Sequence, residues 1–142
     1  MKKTVKTIDV VNAYRVLANV KIGKLEDAEQ SLIAKAIRSI KKVAKEYIEN
    51  ELEIKKLLEP ESIEELGIIE AKGVTATVEE RVKLQKEMGG YNRALDKQTK
   101  ELSQAEVEID IAPIGFDVLR KLASANDQPL GAMMIIDDLF GE

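Results

Sequence analysis

Residues 27–58 read DAEQSLIAKAIRSIKKVAKEYIENELEIKKLL, and this stretch decides the fold class. Ile33, Ile40, Tyr47 and Ile54 recur every seven residues, and Ala36, Val43, Asn50 and Leu57 repeat that interval three places on. Ile37, Ala44 and Leu58 widen the stripe. Apolar residues at this spacing lie along one face of an α-helix. Glu26 or Asp27 can cap its start, and Pro60 cannot continue it. At 1.5 Å per residue such a helix is about 48 Å long, more than the width of a compact domain of this size. The stripe of Ile33, Ile40, Tyr47 and Ile54 is therefore the expected oligomer or partner interface. Asn50 either sets the register of that seam, as single polar seam residues do, or marks its end near residue 48.

The opposite face of the same segment carries Lys35, Arg38, Lys42 and Lys45, with Lys41 at its margin. No acid falls between Gln30 and Lys45; Glu46, Glu49 and Glu53 then reverse the sign. Such a stripe can follow phosphates, which makes these four side chains possible nucleic-acid contacts. No aromatic is interleaved with them to stack on bases, and charge runs are most often plain solvated faces.

Outward from this helix, the chain is mostly helical. Residues 9–20 repeat apolar positions at helical spacing behind Asp9, an expected N-cap, and Gly23 marks a stop. After Pro60, Ser62 to Leu66 reads as one short turn closed by Gly67, and residues 67–76 read as loop or short strand. Thr77-Val78-Glu79-Glu80 is a capping box that opens a helix to about Gln104. Gly89-Gly90 inside it predicts a kink, a break, or a close approach by another backbone. Glu106-Val107-Glu108-Ile109-Asp110-Ile111 alternates acidic and apolar, the clearest strand in the chain. Its partner is expected in residues 4–8, near Lys2, Lys3 and Lys6, in residues 74–78, or in another chain. Helices over 116–125 and 130–140 follow, separated by Asn126-Asp127-Gln128-Pro129 with Pro129 at a first helical position. The expectation is a mostly α fold: a single domain over residues 1–142, a helical bundle with one long helix and a minor β element.

Composition excludes more than it assigns. The 142 residues include no Cys and no His, so thiolate chemistry, disulfides and the commonest general base and metal ligand are missing. The acidic pairs Glu64-Glu65, Glu79-Glu80 and Asp137-Asp138 are adjacent, so on a helix their side chains diverge by about 100°. None has metal-ligand spacing, and no nucleophile motif frames a Ser or Lys. No enzyme, cofactor, metal or small-molecule substrate is expected. No apolar run reaches the ~20 residues of a membrane span, and no apolar segment follows the basic start as in a secretory signal. The charge is divided: residues 1–45 hold 11 Lys+Arg against 4 Asp+Glu, residues 46–142 hold 11 against 22, and the whole carries −4. Such asymmetry points to nucleic acid or to partners of opposite polarity, with a solvated surface that balances itself within the fold as the plainer reading.

Three stretches carry a resemblance. Asp9 to Leu17 leads into Leu25-Glu26-Asp27 and the basic helix with Ala36-Ile37-Arg38; Ile111-Ala112-Pro113-Ile114 and Ala125-Asn126-Asp127 follow near the end. Together they resemble small uncharacterised proteins encoded by tailed phages or prophages of gut bacteria. The likeness covers about a third of the chain and includes no catalytic motif. It implies a structural or assembly role in the cytoplasm, or in the virion for a phage-encoded protein, and carries over no functional residue. A homo-oligomer or another protein is the expected partner. A small nucleic-acid-binding or regulatory protein is the alternative.

Overall fold

The computed structural model describes residues 1–141. In chain order the elements are β1 (Lys2–Lys6), α1 (Thr7–Leu17), α2 (Asp27–Leu58), α3 (Ile63–Lys72), a 3-10 turn (Gly73–Thr75), α4 (Val78–Gln104), β2 (Glu106–Asp110), α5 (Phe116–Ala125) and α6 (Leu130–Phe140). The fold is a mostly α bundle with one long helix and a minor β element. The long helix has the bounds its heptads predict. The chain divides into two compact units, one of residues 1–48 with 103–142 and one of residues 49–102.

In the first unit β1 and β2 form a two-stranded antiparallel sheet, with Lys2 opposite Asp110, Thr4 opposite Glu108 and Lys6 opposite Glu106. The partner of the acidic strand is thus internal, and it is the lysine-bearing one. Residues 74–78 instead form the end of a 3-10 turn and the entry to α4. Lys2 Nζ lies 3.5 Å from a Glu108 carboxylate oxygen. Beneath the sheet, Val10, Val11, Ala13 and Leu17 of α1 share a core with Ile109, Ile114, Leu119, Leu122, Met133, Ile136 and Phe140, all at most 3% exposed. Lys3 Nζ donates to the carbonyls of Asp138 and Leu139 at 3.1 Å each, placing a cation at the negative end of α6. Asp9 is not the cap of α1: the helix begins at Thr7, Lys6 is its N-cap without a side-chain bond, and Asp9 sits in the first turn. There a carboxylate still complements the helix dipole.

The stop after α5 is a Schellman turn. Asp127 N–H donates to Ser124 O at 3.4 Å and Gln128 N–H to Ala123 O at 2.9 Å. Asp127 takes the left-handed conformation this needs, φ 52°. Pro129 is the N-cap of α6, one place before the expected position. The Asn126 side chain holds the loop after α1 by both ends, accepting from Lys21 N–H at 2.6 Å and donating to Lys21 O at 2.9 Å.

The second unit corrects one expectation. Residues 67–72 are not loop or strand but the continuation of α3 through Gly67. Leu66 and Ile69, three apart, are both buried, and that packing outweighs the helix cost of one glycine, about 1 kcal/mol. The stop comes at Gly73, whose φ of 55° suits only glycine well. The capping box closes reciprocally: Glu80 N–H donates to Thr77 Oγ1 at 3.1 Å, and Thr77 N–H to Glu80 Oε1 at 3.0 Å. Within this unit α3 and α4 are tied by polar links. Ser62 Oγ donates to Glu87, Lys83 Nζ reaches Glu65 at 3.0 Å, and Lys72 bonds Glu80.

Candidate interaction surfaces

The sequence stripe on α2 separates into different environments. Ile33 and Ile40 are fully buried and Tyr47 is 6% exposed, all in the core of the first unit. Their apolar faces are covered by the chain's own side chains. Ile54, in the second unit, is half-buried. The three-places-on track loses its burial along the helix: Ala36 is buried, Val43 half-buried, Asn50 exposed and Leu57 84% exposed. Asn50 thus stands in solvent.

Lys35, Arg38, Lys42 and Lys45 are all exposed, on the face of α2 turned away from Ile33 and Ile40. Among the described residues none of the four has an ion-pair partner within 4 Å; the surface salt bridges use Lys2, Lys55, Lys72, Lys83 and Lys121. The geometry keeps a row of four solvated cations, one helical turn apart, on a rigid element.

Apolar surface is left open chiefly in the second unit, and the α2 periodicity pointed to it only at Leu57. Leu52, Leu57, Ile68, Val74, Val78 and Val82 are between 51% and 90% exposed. Val78 and Val82 lie one turn apart on the same face of α4. Val74 lies just before them, and its carbonyl accepts a 2.6 Å bond from Arg81 Nη2. α4 itself has no buried residue over its 27 positions. Leu84, Met88, Tyr91 and Leu95 are half-buried along its packed side. The helix runs unbroken through Gly89 and Gly90. No backbone comes near either: a Cβ at Gly89 would meet only the Arg93 guanidinium at 3.3 Å, and one at Gly90 the same group at 4.0 Å. The signal for this surface in the sequence is the Val74-x-x-x-Val78-x-x-x-Val82 spacing, which shares a segment with the capping box.

Surface ion pairs lower the carboxyl pKa values of Glu29 and Asp110 and raise those of Lys83 and Lys121, and the largest shift is at Glu80. Glu80 is held far below the usual carboxylate range, at about 2, first by its bond from Lys72 and then by the Thr77 N–H. The first links the end of α3 to α4, and the second belongs to the capping box that starts α4. Among the described residues no three acidic side chains gather as a metal-binding group, and no helix is long and apolar enough to cross a membrane. No family model matches the chain, nor does any curated protein or solved structure.

Proposed function

We propose that this is a non-enzymatic structural or assembly protein that works through protein–protein contacts. The observation that carries the reading is the open apolar surface of residues 49–102: six large aliphatic side chains more than half exposed. Single exposed aliphatics are ordinary, but six of them in the unit of residues 49–102, whose 27-residue helix α4 has no buried residue of its own, are what a contact surface would leave open. The resemblance to small phage and prophage proteins supports the same role. So does the scarcity of side chains suited to catalysis.

Light scattering over a rising concentration series tests it, with Val78→Asp/Val82→Asp beside the wild type. A mass above one chain for the wild type and a one-chain mass for the double variant are expected. A wild type that stays at one chain at every concentration removes self-association and leaves a different protein as partner. Association unchanged in the double variant removes this surface.

A second reading, nucleic-acid binding, is favoured by the four unpaired cations of α2. The rest of the chain repels a polyanion, so no measurable binding is expected at physiological salt. A tight complex whose affinity falls by orders of magnitude between about 50 and 200 mM salt, and is lost on reversing Lys35, Arg38, Lys42 and Lys45 to Glu, would promote this reading over the first.

A further inference from the structure

The β1–β2 sheet has only two strands, so each strand has an outer edge. At the ends of the ladder, Ile111 N–H donates to Met1 O and Thr7 N–H to Ala105 O, both at 2.9 Å. In an antiparallel pair the residues that exchange these bonds alternate with residues that do not. Residues 1, 3, 5 and 7 therefore face β2, and the amides of Lys2, Thr4 and Lys6 point away from it. All three residues are exposed, and among the described residues none of these N–H groups has an intramolecular acceptor. That side of β1 carries two lysines, both exposed, of which Lys2 already pairs with Glu108 across the ladder and Lys6 has no ion-pair partner among the described residues. A depression of about 150 Å3 lies against Val5 on the inner face of β1, its other walls Asp9 and Asn12 of α1 and Ile135, Asp138 and Leu139 of α6, with no β2 residue among its lining. Ile135 is 39% exposed there.

We propose that the outer edge of β1 is a docking site for an extended segment of another protein, one that alternates acidic and apolar residues. The edge supplies main-chain donors and acceptors, as in recognition by strand addition. Lys6, and Lys2 by sharing its charge between Glu108 and the incoming strand, select acidic residues on the outer face. Val5, Ile135 and Leu139 on the apolar side of the depression take the apolar ones between them, the carboxylates of Asp9 and Asp138 lying on its other side. β2 shows the chemistry that suits this strand, with Glu106, Glu108 and Asp110 on the outer face and Val107 and Ile109 on the inner. Charge also rules against the symmetrical alternative. Two copies paired edge to edge through β1 would set lysines against lysines, and pairing through β2 would set acids against acids, both unfavourable directly across a ladder. The β2 strand of a second copy has matching charge. However, its Ile109 is 3% exposed in its own core and is not free to enter the depression. A flexible segment has no such obligation. This surface shares no residue with the apolar one of residues 49–102.

A synthetic peptide with the sequence of residues 105–111, Ala-Glu-Val-Glu-Ile-Asp-Ile, capped at both ends and labelled, is the probe. Its binding is followed by fluorescence anisotropy against the full chain, beside a peptide with Lys at each acidic position. Saturable binding of the acidic peptide that weakens with salt is expected, with at least about tenfold preference over the Lys peptide. Thr4→Pro removes an outward-facing N–H without touching the β2 ladder, a place where an edge strand tolerates proline. It is expected to weaken binding about tenfold, the loss of roughly one hydrogen bond with added crowding. Hydrogen exchange gives a readout independent of that variant: peptide binding slows exchange at Thr4 and leaves Lys3 and Val5, already in the ladder, unchanged. Equal binding of the two peptides, full binding by a folded Thr4→Pro protein, or no added protection at Thr4 overturns the proposal. Open-ended growth in mass of the chain alone, abolished by Thr4→Pro, would give the edge to a second copy instead and overturn it as well.

Discussion

Ile40→Ala measures directly what the α2 stripe is for. Ile40 is fully buried, between Ala36 and Ala44 on the same face of α2. Alanine removes three carbons from the core, a transfer loss of about 2.4 kcal/mol at roughly 0.8 kcal/mol per methylene. The flanking residues on its face are alanines with nothing to lend to the gap, so collapse around it is limited. A residual hole of about 50 Å3 adds about 1.2 kcal/mol at roughly 24 cal/mol per Å3. The better helix propensity of alanine returns a few tenths. The expected net loss is about 3 kcal/mol. Urea unfolding followed by far-UV circular dichroism reads it as a lower midpoint at unchanged slope. Run at two protein concentrations tenfold apart, the loss is expected to be the same, because the side chain is covered by its own chain. A loss below about 0.5 kcal/mol would refute the packing register. A loss that grows with protein concentration would return Ile40 to an interface between chains.

Thr77→Ala breaks the capping box and is expected to cost about 1 kcal/mol by the same assay, with Thr77→Ser near neutral. Glu80 is held at about 2 in the folded protein, chiefly by Lys72, against an ordinary value of 4.5. Its pKa is depressed on folding, so its contribution is present in full above about pH 4.5 and is lost as the pH falls toward 2. Carboxyl NMR titration should show Glu80 rising back toward 4.5 in Lys72→Met, and an unmoved value would refute the assignment to Lys72. Asp127→Gly relieves a non-glycine residue at φ 52° and is expected to stabilise by about 0.5–1 kcal/mol, whereas Asp127→Val is expected to destabilise; thermal unfolding distinguishes the two signs.

Much of this architecture is local and can be read along the chain. The heptads of residues 27–58 specify a helix with its bounds, since Pro60 forbids continuation and no glycine interrupts it. Thr77 and Glu80 specify the start of α4 because a capping box is made entirely within four residues. The alternation of residues 106–111 specifies a strand, and its acids point to the lysines it pairs with. Other features depend on what lies far away in sequence. Helical continuation through Gly67 rests on the burial of Leu66 and Ile69, which no local propensity reports. Gly89-Gly90 reads as a kink, a break or a close backbone approach, yet α4 runs unbroken through it with no other backbone near, because two helix penalties of about 1 kcal/mol each are small beside a 27-residue ladder of hydrogen bonds. Above all, periodicity says that one face of α2 is apolar and cannot say what covers it. The chain itself covers Ile33, Ile40 and Tyr47, while Leu57 in the same pattern stays 84% exposed. A stripe of apolar residues is a property of sequence spacing. Its burial is a property of which distant residues the fold brings against it, and only the tertiary structure decides that.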